Sequence, residues 1–372
     1  MVFIYVLIFL FVMLFSFFCC GVVKRRAAVF GLLDVPGERK IHDEPIPTSG
    51  GLGIFAGVIA FFAICQLLTL AAMYLPAFQS VLPEVIANRT DGLAQRAAQL
   101  WILLGLGALV LVIGVLDDKY NLHWVIRIAA QTLAAIVAVS QGWRLTIFID
   151  IPLLTAVLSV IWIVGLTNSF NMLDNMNGLS GGVAFICGSF LAAVMFISPN
   201  PQSLEPQFFI GGFLVVLVAA VAGFLWHNNP FRATLFLGNG GSYFIGFMLA
   251  ALTMIATFTS SSNQSPQTIF VPLIILAIPL YDTISVVIIR IKNKKSPFVG
   301  DKNHFSHRLV ELGLSRTQSV LTIYLATVVS CIGAVLLYQV NLTGAILIFA
   351  QTVLVVLLIA ILEIASKYKE SK

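Results

Sequence analysis

Long apolar stretches separated by short polar segments are the feature of this sequence that most restricts its fold. Of the 372 residues, 59% are hydrophobic and only 10% are charged, and the mean hydropathy is +1.00. A soluble domain carries about 25% charged residues. The composition therefore excludes an ordinary soluble enzyme and predicts an all-α integral membrane protein, with residues 1–372 forming a single polytopic domain.

The length of the apolar stretches predicts the number of spans. A helix needs roughly 20 mostly apolar residues to cross a bilayer, and on this rule we expect about eleven transmembrane helices. Their expected ranges are 2–23, 50–75, 98–116, 124–140, 151–167, 180–197, 208–226, 241–258, 268–291, 319–338 and 343–365. The first stretch is too long for a signal-peptide core and lacks a small-residue cleavage site before Lys24. We expect it to remain as an anchor.

The basic residues predict the orientation of the chain. Cytoplasmic loops retain an excess of Lys and Arg, and 18 of the 21 basic residues fall in odd-numbered loops or in the carboxyl-terminal tail. Only Arg89, Arg96 and Arg144 remain for the other side. We therefore expect the amino terminus outside and an active site built from cytoplasmic loops, because the polar segments with acids and histidines also fall in odd loops.

Asp117 and Asp118 form the sharpest of these polar segments, since they directly follow an apolar stretch. A single acid at such a position would as readily be a solvated helix end. Two adjacent carboxylates repel each other unless a cation or a cationic group holds them. The pair therefore favours a metal-binding or catalytic role.

Two further segments combine polar side chains with glycines. NSFNMLDNMNGLSGG offers oxygen ligands and backbone amides that suit a diphosphate with Mg²⁺, although it could equally be a turn. NPFRATLFLGNGGSYFIGF places a glycine-rich turn before an apolar helix, whose free amides can bind an anion. Glycines are also common at contacts between membrane helices, so neither segment alone decides a function.

Two basic segments could hold phosphates. One joins His304 and His307 to a run of lysines, and the other joins Arg39, Lys40 and His42 to turn residues. Basic clusters beside a membrane more often report topology or contact anionic lipids. The five cysteines lie in apolar stretches without metal-ligand spacing and indicate no redox or zinc role.

Six blocks, taken together and in this order, resemble the polyprenyl-phosphate N-acetylhexosamine-1-phosphate transferase superfamily. The blocks are RKIHDEPIPTSGG, VLDDKYNLHW, NSFNMLDNMNGLSGG, NPFRATLFLGNGGS, PLYDTISVVIIR and DKNHFSHRL. The resemblance covers nearly the whole chain. It is closer to the bacterial WecA-like and TagO-like branch than to the lipid I synthase, whose last block is a run of three histidines.

The resemblance implies a reaction and its partners. An N-acetylhexosamine 1-phosphate, in the first instance GlcNAc 1-phosphate, would pass from a UDP-sugar to undecaprenyl phosphate or another polyprenyl phosphate in the inner leaflet. UMP would be released, and the product would start lipid-linked cell-surface glycan synthesis. The resemblance further implies Mg²⁺ as cofactor, with Mn²⁺ as an alternative, a multi-pass place in the bacterial inner membrane and a homodimer. No nucleic acid partner is expected.

The resemblance also assigns roles by matching position. The catalytic residues would be Asp117, Asp118, Asp174 and His304. The metal ligands would be Asp117, Asp118 and Asn239. Substrate would be bound by Arg39, Lys40, His42, Asn171, Asn177, Asp282, His307 and Arg308. Asp282 also lies inside a predicted span, where an ionisable group is a functional candidate by default.

Two positions depart from the family pattern. Asn177 and Asn239 stand where the family usually has Asp, and the second Asp is the family's magnesium ligand. A neutral amide attracts a hard dication less strongly than a carboxylate does. We therefore favour an active enzyme with an altered metal shell, and keep an inactive relative acting as an assembly partner as the alternative. A secondary transporter would require an internal repeat and midplane polar residues, and the sequence shows no repeat.

Overall fold

The computed structural model describes residues 2–35, 44–75, 90–145, 151–197, 206–256, 258, 266–296 and 304–370. For residues 90–95 and 362–370 it describes the backbone only. The helices are α1 Val2–Phe30, α2 Gly50–Tyr74, α3 Thr90–Tyr120, α4 Trp124–Ser140, α5 Pro152–Leu173, α6 Leu179–Ile197, α7 Phe208–Leu225, α8 Gly238–Ile255, α9 Val271–Ile275, α10 Ala277–Lys292, α11 Phe305–Glu311, α12 Arg316–Leu336 and α13 Leu342–Glu370. A 3-10 turn, Pro266–Phe270, precedes α9. Two short hairpins pair β1 Leu33–Asp34 with β2 Ile46–Pro47, and β3 Asn228–Asn229 with β4 Arg232–Ala233.

The predicted all-α membrane fold is confirmed. Among the described residues, nine helices are long and apolar enough to cross a membrane. The count of eleven spans is not confirmed. Helix α4 covers the expected range 124–140, but its 17 residues are at the short end for a span. The span expected at 268–291 is broken into a bent pair whose two parts meet at 64°.

The break in that span has an identifiable cause. Pro279 has no N–H to donate to the carbonyl of Ile275, four residues earlier, and its ring would clash with that carbonyl. The thiols of Cys187 and Cys331 donate to the Ile275 carbonyl instead, at 3.2 and 3.7 Å. These two buried cysteines therefore support the bend.

Helix α8 is the centre of the bundle. Nearly all of its residues are buried, and it packs against α2, α3, α5 and α6. A Cβ added to Gly51 of α2 would lie 2.3 Å from the Cα of Gly241, and one added to Gly114 of α3 would lie 2.5 Å from the Cα of Gly240. Because small residues allow membrane helices to approach closely, α2 and α3 reach the first turn of α8 directly.

The hairpin β1–β2 is joined to the segment that leads into α8. The Phe236 N–H donates to the Pro47 carbonyl at 2.7 Å, and the N–H groups of Gly50 and Gly51 donate to the carbonyls of Phe236 and Leu237, both at 3.0 Å. The start of α2 and the start of α8 are thereby held side by side at one end of the bundle.

Candidate active site

A cavity of about 470 Å³ lies at the end of the bundle where α8 begins. This volume is within the range of roughly 300–1,000 Å³ that is usual for small-molecule sites. Five separate stretches of chain line it. The lining residues are Asp34, Ile46, Thr48, Asp118, Asp174, Asn175, Met176, Asn177, Asn228, Pro230, Phe236, Gly238, Asn239, His307, Arg316 and Val320.

Hydrogen bonds between these stretches close the cavity walls. The Asn228 side chain accepts from the Gly178 N–H at 2.5 Å. The Ser306 hydroxyl donates to Asn175 at 2.6 Å, and the Thr317 hydroxyl donates to the Pro230 carbonyl at 3.0 Å. Segments that are distant in sequence thus form one surface.

The structure brings most of the predicted site residues to this cavity or next to it. Those that line it are Asp118, Asp174, Asn177, Asn239 and His307. Those that lie behind its wall are Asp117, Asn171, Asp282, His304 and Arg308. Arg39, Lys40 and His42 lie outside the described residues. The proximity of the described groups is a finding, whereas their chemical roles remain predictions.

The two adjacent acids have different surroundings. The predicted span 98–116 would leave both acids in the loop that follows it. Helix α3 instead continues to Tyr120, so both acids lie in its last turn. Neighbouring residues on an α-helix point about 100° apart, and Asp118 is the one that faces the cavity. Its Oδ1 accepts from the backbone N–H of Asn239 at 3.1 Å. Its buried Oδ2 has no hydrogen-bond partner among the described residues.

Asp117 faces α4 and α8 instead. Its side chain is only 3% exposed, and its Oδ2 accepts from Arg127 Nη1 at 2.9 Å. The same oxygen accepts from Asn239 Nδ2 at 2.8 Å and from the Tyr243 hydroxyl at 3.5 Å. Asp117 does not line the cavity, and we assign it to the contact between α3, α4 and α8.

Asp174 follows the last residue of α5 and contributes a second carboxyl group to the cavity. Burial raises its pKa to about 8, the nearby Asp118 carboxyl adds to that rise, and a hydrogen bond from the Gly238 backbone opposes it. Gly238 has a φ of +74°, a conformation that glycine adopts without strain. This backbone turn brings the start of α8 to both acids.

Asp282 holds α11 in place. Its side chain is fully buried; Oδ1 accepts from the Phe305 N–H at 2.6 Å, and Oδ2 lies 3.0 Å from His304 Nδ1. Arg308 Nη2 donates to the Ser285 hydroxyl at 2.8 Å, which makes a second link to α10. Both oxygens of Asp282 face α11 rather than the cavity, and its contact with substrate stays a prediction. His307, on that helix, lines the cavity.

Three charged residues that line or support the cavity were not identified as site residues from the sequence. Arg127 and Arg316 were counted only as topology signals, and Asp34 was not singled out. Asp34 lies in a two-residue strand, and Arg316 opens α12. No local pattern marks these residues, although Asp34 stands a few positions before the first basic block.

The donor groups of the cavity fit a hard dication. Among the described residues, no group of three or more His, Cys, Asp or Glu side chains forms a ready metal site. The cavity nevertheless contains three carboxyl groups, at Asp34, Asp118 and Asp174, and Asp118 has an oxygen without a hydrogen-bond partner among the described residues. Mg²⁺ prefers one or two carboxylates together with water and substrate phosphates.

Comparison with known proteins identifies the family. The model of glycosyl transferase family 4 matches residues 100–257. A Bacillus subtilis protein named "Probable undecaprenyl-phosphate N-acetylglucosaminyl 1-phosphate transferase" is 35% identical over 327 residues, which cover 85% of this chain and 80% of that protein. The chain belongs to glycosyl transferase family 4. This confirms the resemblance seen in the sequence.

Other relatives have similar coverage. The Mycobacterium tuberculosis decaprenyl-phosphate N-acetylglucosaminephosphotransferase is 30% identical over 86% of this chain and 79% of its own length. The Escherichia coli undecaprenyl-phosphate alpha-N-acetylglucosaminyl 1-phosphate transferase is 28% identical over 86% of this chain and 79% of its own length. The segment matched by the family model includes Asp118, Asp174 and Asn239 of the cavity.

Proposed function

We propose that this protein transfers N-acetylglucosamine 1-phosphate from UDP-N-acetylglucosamine to undecaprenyl phosphate or a related polyprenyl phosphate and releases UMP. The observation that carries the proposal is the cavity lined by two carboxyl groups of the family segment and by side chains of α11 and α12. The names of the relatives support the same donor group and the same class of lipid acceptor.

The proposed reaction is an in-line displacement at phosphorus. An oxygen of the lipid phosphate attacks the phosphorus that carries the sugar, and a new P–O bond forms. The bond from that phosphorus to the bridging oxygen breaks, and its electron pair leaves on UMP. Such a transfer depends mainly on positioning the two reactants and on offsetting their negative charge.

Residues of this chain can supply both requirements. His307 and Arg316 line the cavity and can contact phosphate oxygens. A magnesium ion held by the cavity carboxylates of Asp118 and Asp174 would supply further charge neutralisation between the phosphates. Asn177 is exposed at the cavity wall, where we propose that it contacts the nucleotide.

We further propose that the cavity lies at the cytoplasmic face of the bacterial inner membrane. If α4 and the bent pair are counted as spans, the nine long helices of the described residues become eleven. An odd number places the two termini on opposite faces, as the proposed topology requires. Manganese could replace magnesium, and a homodimer would be the assembly. The cavity lies at one end of the bundle rather than at its middle, which disfavours a transporter. Asn177 and Asn239 are the only support for an inactive assembly partner.

The test is lipid-linked product formation by the purified protein in nanodiscs. Radiolabelled UDP-GlcNAc, undecaprenyl phosphate and Mg²⁺ should yield labelled glycolipid and one UMP per product. Asp118→Asn should abolish the product, whereas Glu311→Gln, the same chemical change at an exposed position, should retain it. No product with any UDP-N-acetylhexosamine from folded protein would favour the inactive relative.

A further inference from the structure

A chain of side-chain amides connects α3, α5 and α8 beside the cavity. Asn239 Nδ2 donates to Asp117 Oδ2 at 2.8 Å, and Asn171 Nδ2 donates to Asn239 Oδ1 at 2.6 Å. Asn171 also donates to the Ser242 hydroxyl at 3.1 Å. Each amide atom of Asn239 thus has a partner on a different helix.

The orientation of the Asn239 amide follows from its partners. Asp117 forms an ion pair with Arg127, and an ionised carboxylate can only accept hydrogen bonds. The nitrogen of Asn239 must therefore face Asp117, and its oxygen must face the donor nitrogen of Asn171. The reversed amide would place two oxygens together at one end and two nitrogens together at the other.

This arrangement works only with a neutral side chain at position 239. A carboxylate there would place a second negative oxygen 2.8 Å from Asp117 Oδ2, and two such charges repel unless a cation lies between them. With Asn239, the contact between α3 and α8 is complete without a cation. The amide oxygen already accepts from Asn171, so a metal ion at this neutral oxygen would have to compete with that hydrogen bond, whereas the cavity offers carboxylates.

Three carboxyl groups line the cavity, Asp34, Asp118 and Asp174, and the last two lie in the segment that the family model matches. Asp118 Oδ2 has no partner among the described residues, and Asp174 shares the cavity with it. Neither carboxyl takes part in the chain of amides. The two adjacent acids therefore differ: Asp117 makes a structural contact, and Asp118 faces the cavity.

We propose that Asn239 is a positioning residue that links Asp117 to Asn171, and that the divalent cation of this enzyme is bound by Asp118 and Asp174 without Asn239. The inference rests on the proposed function for its cation. It separates two adjacent acids that the sequence cannot distinguish, and it explains how an amide at position 239 is compatible with activity.

The test measures Mn²⁺ binding to detergent-solubilised protein without substrates, by the electron paramagnetic resonance signal of free Mn²⁺. Asp118→Asn and Asp174→Asn should each weaken binding by about 10-fold or more. Asn239→Ala should leave Mn²⁺ affinity unchanged, lower thermal stability and lower kcat at an unchanged KM for Mg²⁺. The unfolding temperature of Asn239→Asp should rise more steeply with added Mn²⁺ than that of the wild type, whose own cation site already gives some dependence, because the new carboxylate faces Asp117.

Asn168→Ala is the matched control. The Asn168 side-chain amide donates a hydrogen bond to the Gln131 amide oxygen at 2.6 Å, the same length as the bond from Asn171 to Asn239, and Asn168 does not line the cavity. It should lower thermal stability without changing kcat or the effect of Mn²⁺. If Asn239→Ala does not fold, Asn171→Ala breaks the same link from the other side and should likewise leave Mn²⁺ affinity unchanged.

Three results would overturn the inference: no Mn²⁺ binding by the wild-type protein, equal loss of Mn²⁺ affinity in Asn239→Ala and Asp118→Asn, or an unfolding temperature of Asn239→Asp that responds to Mn²⁺ no more than that of the wild type. The proposed function fails separately. If no glycolipid forms but the Mn²⁺ affinities of the wild type and the variants are as expected, the cation site is supported and the proposed reaction is refuted.

Discussion

The contact between α2 and α8 makes a quantitative prediction for Gly51→Ala. The added Cβ would lie 2.3 Å from the Cα and N of Gly241, whereas ordinary contacts begin at 3.4 Å. The two backbones must therefore separate locally by about 1 Å, since neither contact atom is a movable side chain. Overpacking of this kind costs about 1–3 kcal/mol of stability.

The same displacement should also lower activity. Gly241 lies in the first turn of α8, whose backbone donates to Asp118. A misplacement of about 1 Å among reacting groups can reduce a rate by about 100-fold. We therefore expect Gly51→Ala to lose about two orders of magnitude in glycolipid formation and to unfold at a lower temperature.

Gly105→Ala is the matched control for this prediction. Gly105 lies on an exposed face of α3, and a Cβ there would meet nothing within 4 Å. Its activity and its unfolding temperature in nanodiscs should equal those of the wild type or slightly exceed them. If Gly51→Ala behaves like Gly105→Ala in both assays, the close packing at the start of α8 does not position the site.

Three further predictions concern single side chains. Because the pKa of Asp174 is raised from 3.8 to about 8, the stability of the protein without divalent cations should fall as pH rises through this interval. Asp174→Asn should flatten the dependence of the unfolding temperature on pH between pH 6 and 9. The same slope in the wild type and the variant would contradict this. Asp282→Asn, which removes a charged acceptor from His304 and α11, should cost about 1.5–3 kcal/mol and lower kcat; unchanged unfolding and kinetics would rule out the anchoring role. Arg127→Met should destabilise by about 1.5–3 kcal/mol, with partial rescue by Arg127→Lys, because Asp117 would remain buried without its cationic partner; calorimetry that shows no loss would contradict the ion pair.

The helical fold and the convergence of the polar segments could be predicted because both follow from hydropathy. Apolar length determines which stretches are helices, and polar segments in odd loops must share one face of a membrane. The broken span was not predicted. Its apolar composition is that of a single helix, and the bend depends on Pro279 together with thiols from two other helices.

The division between Asp117 and Asp118 could not be predicted either. Both acids have the same chemistry and adjacent positions, so only the rotation of α3 decides which one faces Arg127 and which one faces the cavity. Asp34 has no adjacent acid in the sequence to mark it as a site residue. Its place at the cavity depends on the pairing of β1 with β2. Site residues that depend on tertiary rotation or pairing are not visible in local patterns.

The most direct test of the central claim follows the phosphorus atom that is transferred. UDP-GlcNAc labelled with ³²P at the phosphate next to the sugar is incubated with undecaprenyl phosphate and the purified protein. The label should appear in the lipid fraction with unlabelled UMP as the co-product, and this transfer should be lost in Asp118→Asn. Label that remains in released UDP while the sugar alone reaches the lipid would contradict sugar 1-phosphate transfer.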